Sequence, residues 1–167
     1  TQEVTYESLP YATRAMLHDQ IGQHIEQVYS KSLDQYVDLL AFHYDRSQNE
    51  AKRREYLYKA GEHAQYNYAN TTAIDYYQRL LPLVTQGEKV TILLKLGKVL
   101  EVVGKWPQAG ERYQQSLELA EKIQDRQAWA WARSAQAELL RKQGMYKEAV
   151  IRLLQAQDAF EDLGDRA

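Results

Sequence analysis

The sequence has 167 residues, a formal net charge of −2 and no cysteine. That length corresponds to about one domain of ordinary size, and the lack of cysteine excludes a disulfide framework, a thiolate metal site and a cysteine nucleophile. Glycine and proline number only 8 and 3, which disfavours a many-stranded β-fold and favours long helices. No apolar run approaches the roughly 18 residues of a membrane span and no signal-like start is present, so we expect a cytoplasmic protein without a membrane partner.

Apolar residues recur every three or four positions along most of the chain, which predicts eight amphipathic helices. The connections between them are short, and short connections make sequential helices pack as antiparallel neighbours. The predicted helices cover, in chain order, residues 10–29, 33–47, 50–68, 70–84, 88–103, 107–124, 126–143 and 146–163.

Four of these helices carry detailed predictions. The predicted buried stripes of the third and fourth helices consist of Leu57, Ala60, Gly61 and Ala64, and of Ala73, Tyr77, Leu80 and Val84. In the first helix, Leu17, Ile21, Ile25 and Val28 step by three or four residues and predict its buried stripe. Asn70 is predicted to be the N-cap of the fourth helix, because its side chain can accept from an unpaired backbone N–H. The predicted stripe of the eighth helix consists of Ala149, Leu153, Ala156, Phe160 and Leu163.

The chain contains an internal repeat, which is clearest in the second half and has an earlier copy in the first half. Residues 101–111 read EVVGKWPQAGE, and residues 141–151, about 40 positions later, read RKQGMYKEAVI. Each repeat has a small residue in its first helix, a second small residue early in its second helix, and a larger residue one turn later. Small residues allow the two helices to approach closely, and the larger residue fills the seam. In three successive repeats the first small residue is Gly61, Gly97 or Ala137, the second small residue is Ala73, Ala109 or Ala149, and the larger residue is Tyr77, Tyr113 or Leu153.

This repeat resembles the tetratricopeptide repeat, in which Leu-Gly in the first helix precedes Gly-x-Tyr-x-x-Ala leading into the second. Leu96-Gly97 and residues 144–149 carry the resemblance. It implies an all-α, right-handed solenoid of about four antiparallel helical hairpins with a period of about 40 residues. Residues 1–86 are expected to form two hairpins, the first divergent, and residues 87–167 two repeats of the same continuous solenoid. The sequence departs from the pattern at Arg133 and Gln136, where large apolar residues are usual.

A narrower resemblance covers residues 6–84. Residues 9–26 read LPYATRAMLHDQIGQHIE, residues 39–44 read LLAFHY and residues 56–83 read YLYKAGEHAQYNYANTTAIDYYQRLLPL. They resemble the segment after the nucleotide-binding region of large bacterial signalling ATPases, many of which also carry a class III adenylate/guanylate cyclase domain. The resemblance implies a regulatory scaffold whose partner is the upstream ATPase domain. Because no G-x-x-x-x-G-K-[ST] phosphate loop occurs and Asp165-Arg166 repeats Asp125-Arg126, we expect a fragment of a longer protein.

No residue pattern predicts catalysis, and we expect no cofactor, no metal ion and no nucleic-acid partner. The basic cluster at residues 52–54 is flanked by Glu50 and Glu55, which indicates a solvated helix face. Tyrosines concentrate between residues 6 and 77; we favour helix-seam packing over an aromatic ligand groove, because Tyr44, Tyr68 and Tyr77 fall on predicted apolar stripes. The histidines lack zinc-site spacing and are interpreted as interface or surface residues. They are His18, His24, His43 and His63.

The predicted functional surface lies on the first helices of the hairpins, which line the concave side of a solenoid. Trp131 and Arg141 are residue types that often anchor protein interfaces, so a protein or peptide partner is expected there. The alternatives are a solvated or covered face, a homodimer formed through the first or last helix, and a helical enzyme domain. The predicted partner-binding residues are Tyr58, Glu62, Gln65, Leu94, Lys98, Glu101, Trp131, Ser134, Glu138 and Arg141.

Overall fold

The computed structural model describes residues 9–164, and within that range every regular element is helical. The prediction of an all-α fold is confirmed. None of the helices described is long and apolar enough to cross a membrane. The Asp165-Arg166 match, like Tyr6 at the start of the narrower resemblance, lies outside the described residues. The α-helices are α1 (Tyr11–Val28), α2 (Val37–Asp45), α3 (Glu50–Tyr66), α4 (Asn70–Leu80), α5 (Gln86–Val102), α6 (Trp106–Lys122), α7 (Arg126–Lys142) and α8 (Tyr146–Asp162).

The chain divides into two compact units, Thr1–Leu83 and Val84–Ala167. The first unit contains α1 to α4 together with two short 3₁₀ turns, Leu33–Tyr36 and Leu81–Leu83. The second unit contains the helical pairs α5–α6 and α7–α8, which pack on each other mainly through α6 and α7. The predicted continuity of residues 1–86 and 87–167 in one solenoid stays a prediction.

Side-chain caps fix the starts of three helices. The Asn49 side chain accepts from the backbone N–H of Lys52 at the start of α3, and Asp125 accepts from Ala128 at the start of α7. Thr85 and Glu88 form a reciprocal capping box before α5. Each such cap satisfies a backbone donor that has no partner inside the helix.

The predicted cap of α4 is wrong. Asn70 is the first residue within this helix, and the cap position is Ala69, which has no side-chain hydrogen bond to offer. The backbone carbonyl of Ala69 still accepts from the N–H of Ala73 at 3.0 Å. An Asn therefore signals a helix start here without providing the cap.

Left-handed backbone ends four helices of the second unit. Gly104, Gly144 and Gly164 follow α5, α7 and α8 and have φ angles of 76°, 79° and 76°, which glycine adopts without strain. The equivalent position after α6 is Gln124, with φ of 58°, and Tyr68 takes the same value after α3 in the first unit. At these two positions a residue with a Cβ atom occupies a conformation that favours glycine.

The predicted buried stripes hold for α3 and, except for the half-buried Val84, for α4. The predicted stripe of α1 is correct only at Ile25, because Leu17 is half-buried and Ile21 and Val28 are 42% and 55% exposed. The other buried residues of α1 are Ala15, His18 and Gly22.

The stripe of α8 is correct in part. Ala149, Ala156 and Phe160 are buried, whereas Leu153 and Leu163 are substantially exposed. Tyr68 was also expected on an apolar stripe and is 83% exposed. Tyr44 and Tyr77, which were expected on such stripes too, are fully buried.

A glycine faces a tyrosine ring in three helical pairs. A Cβ atom added at Gly22 or Gly61 would lie 2.6 Å from a ring carbon of Tyr44 or Tyr77, respectively. Gly97 faces Tyr113 at least as closely. The predicted seam is therefore present in the pairs α3–α4 and α5–α6 and also in α1–α2, which was expected to be divergent. It is not present as predicted in α7–α8, where Leu153 is 48% exposed.

Candidate protein-binding surface

The predicted residues on α3 take part in two separate hydrogen bonds. The Tyr58 hydroxyl donates to Glu62 Oε1 at 2.9 Å, and Gln65 Oε1 accepts from the Tyr77 hydroxyl at 2.8 Å. Glu62 is exposed, whereas Tyr58 and Gln65 are half-buried. Gln65 therefore supports the tyrosine packed on Gly61, and the Glu62 side chain is the most accessible of the three.

Glu101 of α5 is a buried junction between helices. Its side chain is 0% exposed, and its carboxylate accepts from Lys142 Nζ at 2.6 Å, the Tyr113 hydroxyl at 2.7 Å and Lys98 Nζ at 3.1 Å. Burial alone would raise the pKa of Glu101, but the hydrogen bonds from Lys142, Tyr113 and Lys98 outweigh it and hold the pKa below its usual value. The carboxylate joins α5, α6 and α7 and is not presented to solvent.

Glu138 and Arg141 form an oriented pair on α7. The Arg141 guanidinium donates to both carboxylate oxygens of Glu138, at 2.9 and 2.8 Å. The hydrogen bond from Arg141 is the largest effect on Glu138 and lowers the pKa of that carboxyl. The Arg141 side chain is nevertheless 58% exposed, so it is oriented and accessible at once.

Trp131 exposes an aromatic ring one turn before Ser134 on the same helix. It is 56% exposed and meets the Phe160 ring edge-on, with centroids 5.1 Å apart. This contact holds one side of the ring against α8 and leaves the rest to solvent. Ser134 is half-buried.

The second unit brings the predicted residues of α5 and α7 together. The ion pair between Lys142 and Glu101 joins the two helices, and Lys98 of α5 contacts the same carboxylate. We call the predicted residues of these two helices that are at least partly accessible, together with Lys142, the α5–α7 face; Tyr58, Glu62 and Gln65 belong to the first unit. The α5–α7 face consists of Leu94, Lys98, Trp131, Ser134, Glu138, Arg141 and Lys142.

Two polar clusters were not predicted. Glu26 of α1 accepts from the hydroxyls of Tyr44 and Tyr56, each at 2.6 Å, and from Lys52 Nζ at 2.7 Å. Burial would raise the pKa of Glu26, but these hydrogen bonds, led by that from Lys52, lower it. The sequence did contain a signal for the Glu26 cluster, which is the Gly-to-Glu spacing: Glu26 follows Gly22 by one helical turn, just as Glu101 follows Gly97.

The second cluster is a histidine pair between α1 and α2. The Nδ1 atoms of His18 and His43 are 2.9 Å apart, so one imidazole donates and the other accepts. Burial lowers the pKa of both rings, and the charge of Arg46 adds to this effect at each ring. The sequence left open whether the histidines lie at an interface or on the surface, and it did not indicate the pairing of His18 with His43. Among residues 9–164 no group of three or more His, Cys, Asp or Glu side chains is arranged to hold a metal ion.

Comparisons with known proteins identify the class of fold. The tetratricopeptide-repeat family model matches residues 88–162. The apo form of RapI aligns with 93% of this chain at a TM-score of 0.71 and 16% identity, and MamA aligns with 88% at a TM-score of 0.57 and 18% identity. The alignments span 58% of the RapI chain and 91% of the MamA chain. No curated protein sequence matches.

These similarities establish tetratricopeptide-like helical repeats. At such low sequence identity the likeness to the solved structures shows the fold, and residues 88–162 are the part in which the sequence itself matches the repeat. Helical repeats of this type are typical of scaffolds for protein–protein interaction.

Proposed function

We propose that this chain is a non-catalytic scaffold that binds a protein or peptide through the α5–α7 face, with Tyr58, Glu62 and Gln65 of α3 contributing in the same way. The observation that carries the proposal is the exposed Trp131 ring on the same helix as the oriented, accessible Arg141 guanidinium. Large aromatic and arginine side chains dominate the binding energy of many interfaces. Both side chains are held in place before binding, which lowers the entropy lost on association.

A single substitution tests the α5–α7 face. With a purified partner in hand, Trp131→Ala is expected to weaken binding by about 2 kcal/mol, roughly 30-fold. Trp106→Ala is the matched control, because Trp106 lies at the start of α6, outside this face. Equal affinities for the two variants, measured by calorimetry, would exclude the α5–α7 face as the binding surface.

We further propose that the partner is the ATPase domain of a bacterial cytoplasmic signalling protein of the cyclase-linked type. The support is the resemblance of residues 9–26, 39–44 and 56–83 to the segment after that domain. The scaffold would bias the ATPase between two conformations, which requires that it bind one of them more tightly. The test is the coding sequence that flanks this chain, since the lack of an upstream phosphate-loop motif would contradict the assignment.

Self-association through α8 is the second candidate. Val150, Ile151 and Leu154 are each 54% exposed on this helix, and an apolar face of that kind is unusual for a monomer. Light scattering of the chain and of the double variant Val150→Glu/Leu154→Glu tests it. A dimer that the double variant abolishes supports the candidate, and a monomer at all concentrations rejects it.

A further inference from the structure

A groove of about 530 Å³ lies in the second unit between the end of α6, the start of α7 and the middle of α8. The tight turn between α6 and α7, where Gln124 has a φ of 58°, is part of its lining. The lining residues that matter for its chemistry are Glu121, Asp125, Arg126, Trp129, Gln155 and Asp158.

Trp129 provides a fixed aromatic surface in this groove. Its ring packs against the buried cluster of Ala130, Ala156, Ala159 and Phe160, so its orientation does not depend on a ligand. The guanidinium carbon of Arg133 lies 5.0 Å from the ring centroid. A cation of this chain thus already uses part of the ring, while the ring also lines the groove.

The groove carries an excess of negative charge. Three of its lining residues are acidic, Glu121, Asp125 and Asp158, and one is basic, Arg126. The Arg126 guanidinium is paired with Asp162, which offsets its charge. Asp125 caps α7 through one oxygen. The side-chain carboxylates of Glu121 and Asp158 accept no hydrogen bond within the described residues, although the charge of Glu121 acts on Arg133.

We infer that this groove binds an arginine side chain of a partner protein. A guanidinium group stacks on an aromatic ring and donates to carboxylates through the same planar group. Trp129 supplies the ring, and Glu121 and Asp158 on the flanking helices supply the acceptors. The groove lies at the α6–α7 turn, so it is a second docking site besides the α5–α7 face, and it does not depend on the function proposed for that face.

The indole N–H resonances of the protein provide the test. The chain has three tryptophans, so Trp106 and Trp131 act as internal controls for Trp129, which a Trp129→Phe variant assigns. The probe is a short peptide with blocked termini in which a central arginine carries the only charge, and its control carries citrulline, which has the same shape without the charge. The arginine peptide is expected to shift the Trp129 signal with a dissociation constant of the order of 1 mM, and citrulline to bind about tenfold more weakly.

Variants locate the acceptors. The double variant Glu121→Gln/Asp158→Asn is expected to bind the arginine peptide about tenfold more weakly. The control Glu111→Gln/Glu148→Gln makes the same charge change at exposed positions of α6 and α8 outside the groove lining, and it is expected to leave the affinity unchanged. Equal binding of citrulline, or equal effects of the two double variants, would overturn the inference. A shift of Trp131 alone would overturn it too and would place the peptide on the α5–α7 face. Binding of spermidine as tight as that of the arginine peptide would instead assign the groove to small polyamines.

Discussion

Tyr113 of α6 lies with its ring on Gly97 of α5, while its hydroxyl donates to the Glu101 carboxylate one turn further along the same helix. The glycine creates the space for the ring, and the acid satisfies the hydroxyl at the bottom of the seam. The arrangement recurs as Gly61, Tyr77 and Gln65 and as Gly22, Tyr44 and Glu26. It is the main packing device of the three helical pairs that contain it, and it leads to direct tests.

Gly97→Ala is expected to destabilise the protein by about 1–3 kcal/mol, because the new methyl group would overlap the buried Tyr113 ring. The matched control is Gly87→Ala in the first turn of α5, where an added Cβ atom meets nothing within 4 Å. That substitution is expected to be neutral or to stabilise by up to ~1 kcal/mol, because alanine favours helix. Urea unfolding of both variants gives the comparison, and equal stabilities would refute close packing at this seam.

Glu101 makes part of the stability dependent on pH. Its pKa in the folded protein is lower than the ordinary 4.5, so it contributes stability above about pH 4.5, which is lost as the pH falls through the folded-state value. Glu101→Gln is expected to cost about 1–3 kcal/mol at neutral pH, and less at about pH 3.5. Denaturant unfolding of both proteins at the two pH values measures the difference. If the two proteins differ in unfolding free energy by the same amount at both pH values, the carboxylate at this junction is not charged.

The histidine pair has a pH effect of its own in the first unit. Burial and Arg46 lower the pKa of His18 and His43 in the folded state, below the ordinary 6.5. Protonation therefore favours the unfolded state, and stability is expected to fall as the pH drops from about 7.5 to about 5.5.

Glutamine substitutions separate this histidine effect from other titrations. His18→Gln/His43→Gln is expected to reduce the pH dependence between those two values, while His24→Gln, at an exposed position of α1, is expected to retain it. Thermal unfolding across the pH range is the measurement. An unchanged dependence in the double variant would assign it to other groups.

The left-handed position after α6 gives a reciprocal pair of substitutions. Gln124→Gly is expected to stabilise the protein by about 0.5–1 kcal/mol, since glycine adopts its φ of 58° without strain. Gly104→Gln places a Cβ atom at φ of 76° at the equivalent position after α5 and is expected to destabilise by ~1 kcal/mol. Calorimetric melting tests both, and changes of the same sign would contradict the conformational explanation.

The parts of the fold that local sequence patterns determine were predictable. The stripes of α3 and α4 and the glycines after α5 and α7 follow from helical periodicity and from backbone conformation. Most of the face of α1 was missed because only Ile25 of the predicted apolar residues is buried: Tyr44 needs the space at Gly22, so the small-residue side of the helix turns inward. The 3₁₀ turn Leu33–Tyr36 lengthens the connection to α2 and hides this pair from a search at fixed spacing.

The candidate surface was predictable as a helix face but not residue by residue. Periodicity places Trp131, Glu138 and Arg141 on one side of α7, and the structure leaves all three accessible in part. Periodicity also placed Glu101 among the partner-binding residues. It could not show that the carboxylate is buried, because one of its contacts is with Lys142 of another hairpin. A contact between residues so distant in sequence leaves no trace in local patterning.

Glu101 and Arg141 occupy the same position in successive repeats. In the pair α5–α6 this position carries a carboxylate, with glycine and tyrosine as its companions, and acts as an internal crosslink. In the pair α7–α8 the companions are Ala137 and Leu153, and the charge is reversed and directed outward. One site in the repeat unit thus holds three helices together in one copy and presents an oriented charge to solvent in the next, and the two copies differ there by three side chains.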